Sequence, residues 1–330
     1  LKSFVRMEEW FPNHVKTLVQ IASLHLQLNE KNSALISFKK ARSVDSRSLD
    51  GMEIYASLIK DREDISTLNS LTTELLEIND KRPEGWLALA LFCELKGDRV
   101  SASQFVDKAL QLDPFHLASH HFKGQLLLDS SDPAASVQSF FKAHTIRRDF
   151  LSFQGLVNAY LQIPKVSEAL RTAKEALSMM PKDARAMVLV GRVLSLTPGD
   201  GRRKAIKAYS KALKLDPLNV EAASELTELY IVQHKEFNSD LSPAISVMQH
   251  LMQHHQNEFM YSKLGELYTM TRNHAEALTC FHRALSLNPN CEHARDGLEQ
   301  LEHLMRRQNG RVDAEADLED DDETYRDTDM

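Results

Sequence analysis

The sequence is poor in the residues that build β-rich, disulfide-linked or membrane-spanning proteins. Its 330 residues include 11 glycines and 10 prolines, few for the many turns of an all-β chain. The three cysteines, an odd number, do not make a disulfide framework and favour a reducing compartment. No apolar run approaches the roughly 20 residues that a membrane-spanning helix needs. With 42% hydrophobic but only 7% aromatic residues, we predict an all-α chain whose core is built from Leu and Ala.

Negative charge is concentrated at one end of the chain. Residues 311–330 contain ten Asp and Glu and two Arg, a net charge of −8, whereas the whole chain has −7. The first 310 residues therefore balance at +1, which offers no excess positive field for nucleic acid. Because so acidic a segment cannot bury enough apolar surface to fold, we predict a disordered tail at 309–330.

A repeated spacing of aromatic and small residues runs through the chain. Its clearest unit is EFMYSKLGELYTMTRNHAEALTCFHRALSLNPN, which matches the tetratricopeptide repeat, two antiparallel helices in about 34 residues. The matching places are Tyr261, Leu264, Gly265, Tyr268, Ala277, Phe281, Ala284 and Pro289. Since one repeat cannot cover its own apolar faces, we predict a stack of repeats, a tetratricopeptide-repeat superhelix or α-solenoid.

The same spacing predicts how the chain is divided. We expect the end of a preceding repeat at 1–14 and eight repeats at 15–291, which begin near residues 15, 49, 83, 117, 150, 184, 220 and 258. A capping helix at 292–308 and the acidic tail at 309–330 complete the chain.

Two of the predicted repeats contain extra residues between their helices. The segment TPGDG lengthens one turn by two residues, and Asp200 is expected to cap the helix that follows. A longer insertion near 234–243 is expected to extend the turn of the next repeat as a surface loop. The glycines around TPGDG do not have the spacing G-x-x-x-x-G-K-[ST], so a helix–helix turn is favoured over a phosphate-binding loop.

Neither a catalytic site nor a cofactor site is predicted. The pairs Cys280 with His282 and Cys291 with His293 suggest zinc, but they lack the C-x2-C or H-x3-5-H spacing of structural zinc sites. No G-x-S-x-G motif is present, and no cysteine lies at an identifiable activated position. We therefore predict a protein that is not an enzyme and binds no metal or cofactor.

The first helices of the middle repeats supply the candidate binding surface. Their positions outside the repeat consensus are expected to line a concave groove suited to a peptide with polar or acidic groups. A solvated groove wall predicts the same composition, so both interpretations stay open. The candidate groove residues are His121, Gln125, Gln154, Asn158, Arg185 and Arg192.

Blocks outside the repeat consensus are more specific. The segments DGMEIYASLI, RRDFLSFQGLVNAYL and FHRALSLNPNCEHARDGLEQLE resemble the corresponding repeats of the subunit 7 family of the anaphase-promoting complex, in its plant-type form. The resemblance extends from residue 1 to about 308. It implies a nuclear cell-cycle protein, present in the cytoplasm during division, that acts as a non-catalytic scaffold of a multi-subunit ubiquitin ligase. It also implies docking on sister tetratricopeptide subunits and homodimerisation through N-terminal repeats missing from this chain, without nucleic-acid or membrane partners.

Two other functions fit the sequence less well than the scaffold. A co-chaperone adaptor would grip a peptide carboxylate with Lys and Asn at the fifth and ninth places of a repeat. Here those places hold pairs such as Val19 and Ser23, or Leu87 and Leu91. The repeat region of a protein glycosyltransferase would be followed by a catalytic domain, whereas only the acidic tail follows the repeats.

Overall fold

A computed structural model of the protein describes residues 10–11, 13–28, 30–254 and 257–306. All the regular structure in these ranges is helical. In chain order the helices are α1 (Val15–Gln27), α2 (Lys31–Val44), α3 (Met52–Lys60), α4 (Ile65–Ile78), α5 (Pro83–Leu95), α6 (Arg99–Leu112), α7 (Leu117–Asp129), α8 (Pro133–Ile146), α9 (Phe150–Gln162), α10 (Val166–Met179), α11 (Ala184–Ser195), α12 (Gly201–Leu215), α13 (Val220–Phe237), α14 (Ser242–Met252), α15 (Glu258–Met270), α16 (His274–Leu287) and α17 (292–306).

The chain forms two compact units, which divide within α10 between Ala173 and Lys174. In the first unit α1 packs on α2, α5 on α6, and α7 on α8. In the second unit α11 packs on α12 and α15 on α16. Each unit is therefore a stack of helix pairs, while the division into eight repeats remains a prediction. None of the helices in the described ranges combines the length and apolar character needed to cross a bilayer.

Glycines and aromatic rings set the separation of neighbouring helices. The ring of Phe140 in α8 is 4% exposed, and a Cβ atom on Gly124 in α7 or Gly155 in α9 would lie 2.7 or 2.2 Å from it. Phe281 in α16 has the same relation to Gly265, where a Cβ atom would lie 2.7 Å from the ring. Because these glycines have no side chain, the second helix of a pair approaches closely enough to bury its aromatic ring.

Left-handed residues recur in the turns that join the two helices of a pair. Gly97 and Gly199 have φ values of 82° and 76°, which glycine adopts without strain. Glu63, Ser131 and Arg272 occupy equivalent turns with φ values of 56°, 61° and 58°. The packing of the flanking helices therefore imposes a backbone conformation that these three side chains disfavour.

Aspartates cap several of the second helices, among them Asp64, Asp98 and Asp132. Asp200 has the same position before α12 but makes no side-chain hydrogen bond to the helix, so the cap expected there is wrong. Its backbone, with φ −77° and ψ 8°, is not extended, the conformation in which an N-cap side chain usually faces the first-turn N–H groups. The carboxylate instead lies 3.9 Å from Arg203 and 3.8 Å from Lys204.

The two predicted insertions differ in structure. TPGDG joins α11 to α12, as expected for a helix–helix turn. The second insertion does not form a loop throughout, because α13 continues for 18 residues to Phe237 before the left-handed Asn238 ends it. The ring Nδ1 of His234 lies 2.5 Å from the carbonyl oxygen of Ser239, which holds the short remaining loop against the helix.

The last described helix, α17, packs on α16. Ala294 and Leu301 are fully buried in the same cluster as Phe281 and Ala284. The capping helix was expected at 292–308, and its last two residues lie outside the described ranges. The predicted acidic tail also lies outside them.

Candidate partner-binding surface

In the first unit, His121 connects two successive helix pairs. It lies on α7, and its Nε2 is 2.8 Å from Oγ of Ser152 and 3.5 Å from Oδ1 of Asp149 at the beginning of α9. Asp149 is the N-cap of α9, and its Oδ1 accepts hydrogen bonds from the backbone N–H and the hydroxyl of Ser152, at 3.0 and 2.8 Å. His121 therefore joins α7 to the capped end of α9.

The electrostatics of this cap follow from its contacts. Burial alone would raise the pKa of Asp149, but contacts with His121 and Ser152 hold it well below its usual range. Arg147 adds bonds from Nε and Nη2 to Oδ2 of Asp149 at 3.1 and 2.9 Å. Two residues of the RRDF block, Arg147 and Asp149, are thus paired next to the start of α9, and Asp149 is ionised at neutral pH.

Three other candidate residues lie on the same two first helices. Gln125 is exposed on α7 and donates from Nε2 to Oδ1 of Asp129 at 2.9 Å, one turn further along the helix. Gln154 and Asn158 are half-buried on α9 and share a helix face, since they are four residues apart. Asn158 also makes an interaction within the chain. The first unit thus places His121 next to the segment that carries Gln154.

In the second unit, both candidate arginines bind carboxylates of the chain. Arg185 binds Asp183 through its backbone N–H at 2.9 Å and through its guanidinium at 3.1 and 2.8 Å. Arg192, two turns further along α11, forms an ion pair with Glu221 at the beginning of α13. An acidic peptide would therefore compete with carboxylates already present.

Three carboxylates form a row on α13 that the repeat spacing did not predict. Glu221, Glu225 and Glu228 are spaced by four and three residues and so share one face of the helix. Glu228 forms an ion pair with Lys263 of α15, and Lys263 also lies 3.2 Å from Glu266. The spacing of acids in VEAASELTELY was the available signal. Their pairing with α11 and α15 could be seen only in the structure.

The first unit contains a second acidic group that the sequence did not predict, around Glu53 and Glu84. Burial, with smaller contributions from the nearby carboxylates of Glu84 and Asp50, raises the pKa of Glu53 on α3 to about 7. Glu84 is 6% exposed and is bound by Nε and Nη2 of Arg82 at 3.1 and 2.5 Å. With a pKa of about 7, Glu53 is close to half-protonated near neutral pH.

The geometry offers little to catalysis or metal binding. In the described ranges no three His, Cys, Asp or Glu side chains come together as ligands for a metal ion. His282 and His293 are exposed, whereas Cys280 is buried and burial raises the pKa of its thiol to about 11. The thiol is therefore protonated at neutral pH and a poor nucleophile.

The chain is similar to several known proteins. A family model described as tetratricopeptide repeat matches residues 259–291. Anaphase-promoting complex subunit 7 of Arabidopsis thaliana is 34% identical over 306 residues, which cover 93% of this chain and 54% of the plant protein. The protein of that name from Dictyostelium discoideum is 27% identical over 91% of this chain and 51% of its own length. A chain in the crystal structure of the Cut9–Hcn1 hetero-tetramer of the same complex has a TM-score of 0.57 at 15% identity, over 82% of this chain and 52% of that one.

The fold defines the class: the chain is a tetratricopeptide-repeat α-solenoid, which confirms the predicted fold. Within that class it is similar to subunit 7 of the anaphase-promoting complex, as the blocks outside the repeat consensus indicated. The chain spans about half the length of the curated relatives it matches.

Proposed function

We propose that this chain is part of a non-catalytic scaffold subunit of the anaphase-promoting complex, a multi-subunit cell-cycle ubiquitin ligase. The observation that carries the proposal is the similarity to subunit 7 of that complex over 93% of the chain, at 34% identity. The similarity extends far beyond residues 259–291, the part of the chain that the repeat family model matches. The corresponding location is the nucleus, and the cytoplasm during division.

The contacts of the inner helices support a structural role. His121 and Arg192 are engaged with the helix pair that follows their own. A groove whose charged groups are already paired within the chain suits a rigid docking surface better than a site that must bind and release a substrate. In this proposal the subunit does no ubiquitin chemistry itself.

Sister tetratricopeptide subunits are the proposed partners, and repeats outside this chain would support a homodimer. Helix faces outside the repeat consensus would make the contacts. The candidate groove residues named above belong to this proposal. Gln125, Gln154 and Asn158 are the most suitable for substitution because they are uncharged, whereas His121, Arg185 and Arg192 each contact a carboxylate.

Affinity purification of the tagged full-length parent from dividing cells, followed by mass spectrometry, tests the proposal. Recovery of the ligase's other repeat subunits and its cullin-type core in comparable amounts is the expected result. Recovery of chaperones, or of a scattered set of substrates, would contradict the scaffold function.

Two variants address the surface. One replaces Gln125, Gln154 and Asn158 with Ala, and the matched control replaces Gln104 and Gln138, which are exposed on second helices of the first unit. Loss of sister subunits with the first variant alone would assign docking to the groove. Equal recovery with both would place docking on another face.

A further inference from the structure

Helix α12 carries basic residues and no acidic ones. Its sequence is GRRKAIKAYSKALKL, with six Lys and Arg in 15 residues. One side of the helix is buried in the second unit through Ala205, Ala208, Tyr209 and Ala212. The exposed side carries four cations at spacings of four, four and three residues, so they form one row, the α12 cationic stripe: Arg203, Lys207, Lys211 and Lys214.

Most of this positive charge is not neutralised by neighbouring repeats. Arg202, beside the stripe, forms two bonds of 2.6 and 2.7 Å with the carboxylate of Glu236. Arg203 comes only within 3.9 Å of Asp200. Across the described part of the chain, no ion pair involves Lys207, Lys211 or Lys214. Like charges one turn apart repel each other, so binding of an acidic ligand would lower the electrostatic free energy of the stripe.

Helix α2 provides an internal comparison. It also has four Lys and Arg and no acid, in KNSALISFKKARSV. However, Lys31 forms an ion pair with Asp61, and Arg42 forms one with Glu74, both in the following helix pair. Successive pairs thus neutralise much of the charge of α2, whereas the centre of α12 has no such partner.

We propose that the α12 cationic stripe binds the acidic segment 311–330 of the same chain. That segment carries ten Asp and Glu against two Arg, the densest negative charge in the sequence. The stripe and the segment both lie in the C-terminal half of the chain. Twenty residues reach at most about 70 Å when extended, far more than the width of a few stacked helices.

Attachment to the same chain favours this occupant over a free one. A tethered segment presents its carboxylates at an effective concentration on the order of millimolar. The first 310 residues balance at +1, so the stripe is not part of the broad positive surface by which proteins bind nucleic acid. Four exposed cations and a run of carboxylates are complementary in charge, and salt screens their attraction. Bound to the stripe, the segment would shield it from acidic groups of other proteins.

Zero-length carbodiimide cross-linking of the full chain, which joins carboxylates to lysine amines, tests the proposal. Segment 311–330 is expected to cross-link to Lys207, Lys211 and Lys214 in preference to Lys182 and Lys235, exposed lysines of the same unit as the stripe. The links should disappear at a salt concentration of about 1 M, where the screening length falls to about 3 Å. Links spread evenly over all five lysines, or no links at all, would overturn the proposal.

A variant of the segment provides the second test. Replacing the acids at 317 and 319–323 with Asn or Gln should raise the acetylation rate of the stripe lysines by roughly threefold or more, because their ammonium groups lose the carboxylates that shield them. Lys182 and Lys235 are the controls and should react as before. Unchanged stripe reactivity would count against the proposal. A mixture of isotope-labelled and unlabelled chains distinguishes the source, and links found only between different chains would refute binding within one chain.

Discussion

The contact between Gly155 and Phe140 gives the sharpest test of how the repeats pack. A Cβ atom on Gly155 would lie 2.2, 2.3 and 2.6 Å from three atoms of the Phe140 ring, well inside van der Waals distance. Replacing a helical glycine with Ala normally stabilises a helix by about 1 kcal/mol. Overpacking of a buried contact costs about 1–3 kcal/mol, and this overlap is severe. The Gly155→Ala variant is therefore expected to lose roughly 1–2 kcal/mol of unfolding free energy.

Gly85→Ala is the matched control. Gly85 also lies on a first helix of the first unit, but its nearest neighbour is the flexible end of Leu76, with Cδ2 at 3.0 Å from the added Cβ. This variant should be neutral or more stable by up to about 1 kcal/mol. Urea unfolding followed by circular dichroism measures both variants against the unaltered chain.

The double variant tests the cause. Phe140→Leu replaces the ring with a smaller, flexible side chain, so adding Gly155→Ala to it should destabilise the chain far less than adding it to the unaltered chain. If Gly155→Ala alone is as stable as the unaltered chain, or if its effect is the same in the Phe140→Leu background, then the ring does not set the spacing of α7, α8 and α9.

Three further predictions concern backbone, charge and thiol chemistry. Arg272 has a left-handed backbone (φ 58°), so Arg272→Gly should stabilise the chain by about 0.5–1 kcal/mol. Gly97 is also left-handed (φ 82°), and no atom lies within 4 Å of an added Cβ, so Gly97→Ala should destabilise the chain by a similar amount through backbone strain alone. Thermal unfolding measures both variants, and stability changes of the same sign would refute the argument. The pKa of Glu53 is raised to about 7 in the folded chain, so the fold loses stability as pH rises from about 4.5 through 7. Glu53→Gln should therefore be more stable than the unaltered chain by ~1–3 kcal/mol at pH 8, and the difference should vanish near pH 4.5. A stability difference that stays constant with pH in urea unfolding would contradict this. Burial raises the pKa of the Cys280 thiol to about 11, so iodoacetamide should alkylate Cys280 much more slowly than the half-exposed Cys291 at pH 8. Mass spectrometry of the treated protein measures both rates. Equal rates would mean that Cys280 is not buried in solution.

Local pattern was enough to predict the helices and the short turn at TPGDG. The spacing of Gly265, Phe281 and Ala284 records which side chains face a neighbouring helix, and that depends on helix geometry alone. Prediction from the sequence was wrong where a residue's conformation depends on the residues packed around it. Asp200 has the right chemistry for a cap but the wrong backbone angles. Nothing in the sequence around Phe237 indicates that α13 continues to that residue.

The candidate surface was predictable only as a set of positions. First-helix places outside the consensus gave His121 and Arg192, but their partners lie 31 and 29 residues further along the chain. The burial that raises the pKa of Glu53 is likewise produced by side chains from other helices. Such pairings require two repeats to be stacked, and no single repeat carries that information.

The sequence by itself determined the class of this protein, because helical periodicity and the alternation of small and large residues act within about 34 residues. The sequence also contains two segments of opposite charge in its C-terminal half, the basic residues of α12 and the acidic segment 311–330. Only the tertiary structure decided which charges of the stacked helices are neutralised and which remain exposed. The physical reason is that a charge on one helix is satisfied by whichever group the stacking of the next repeat brings within about 3–4 Å.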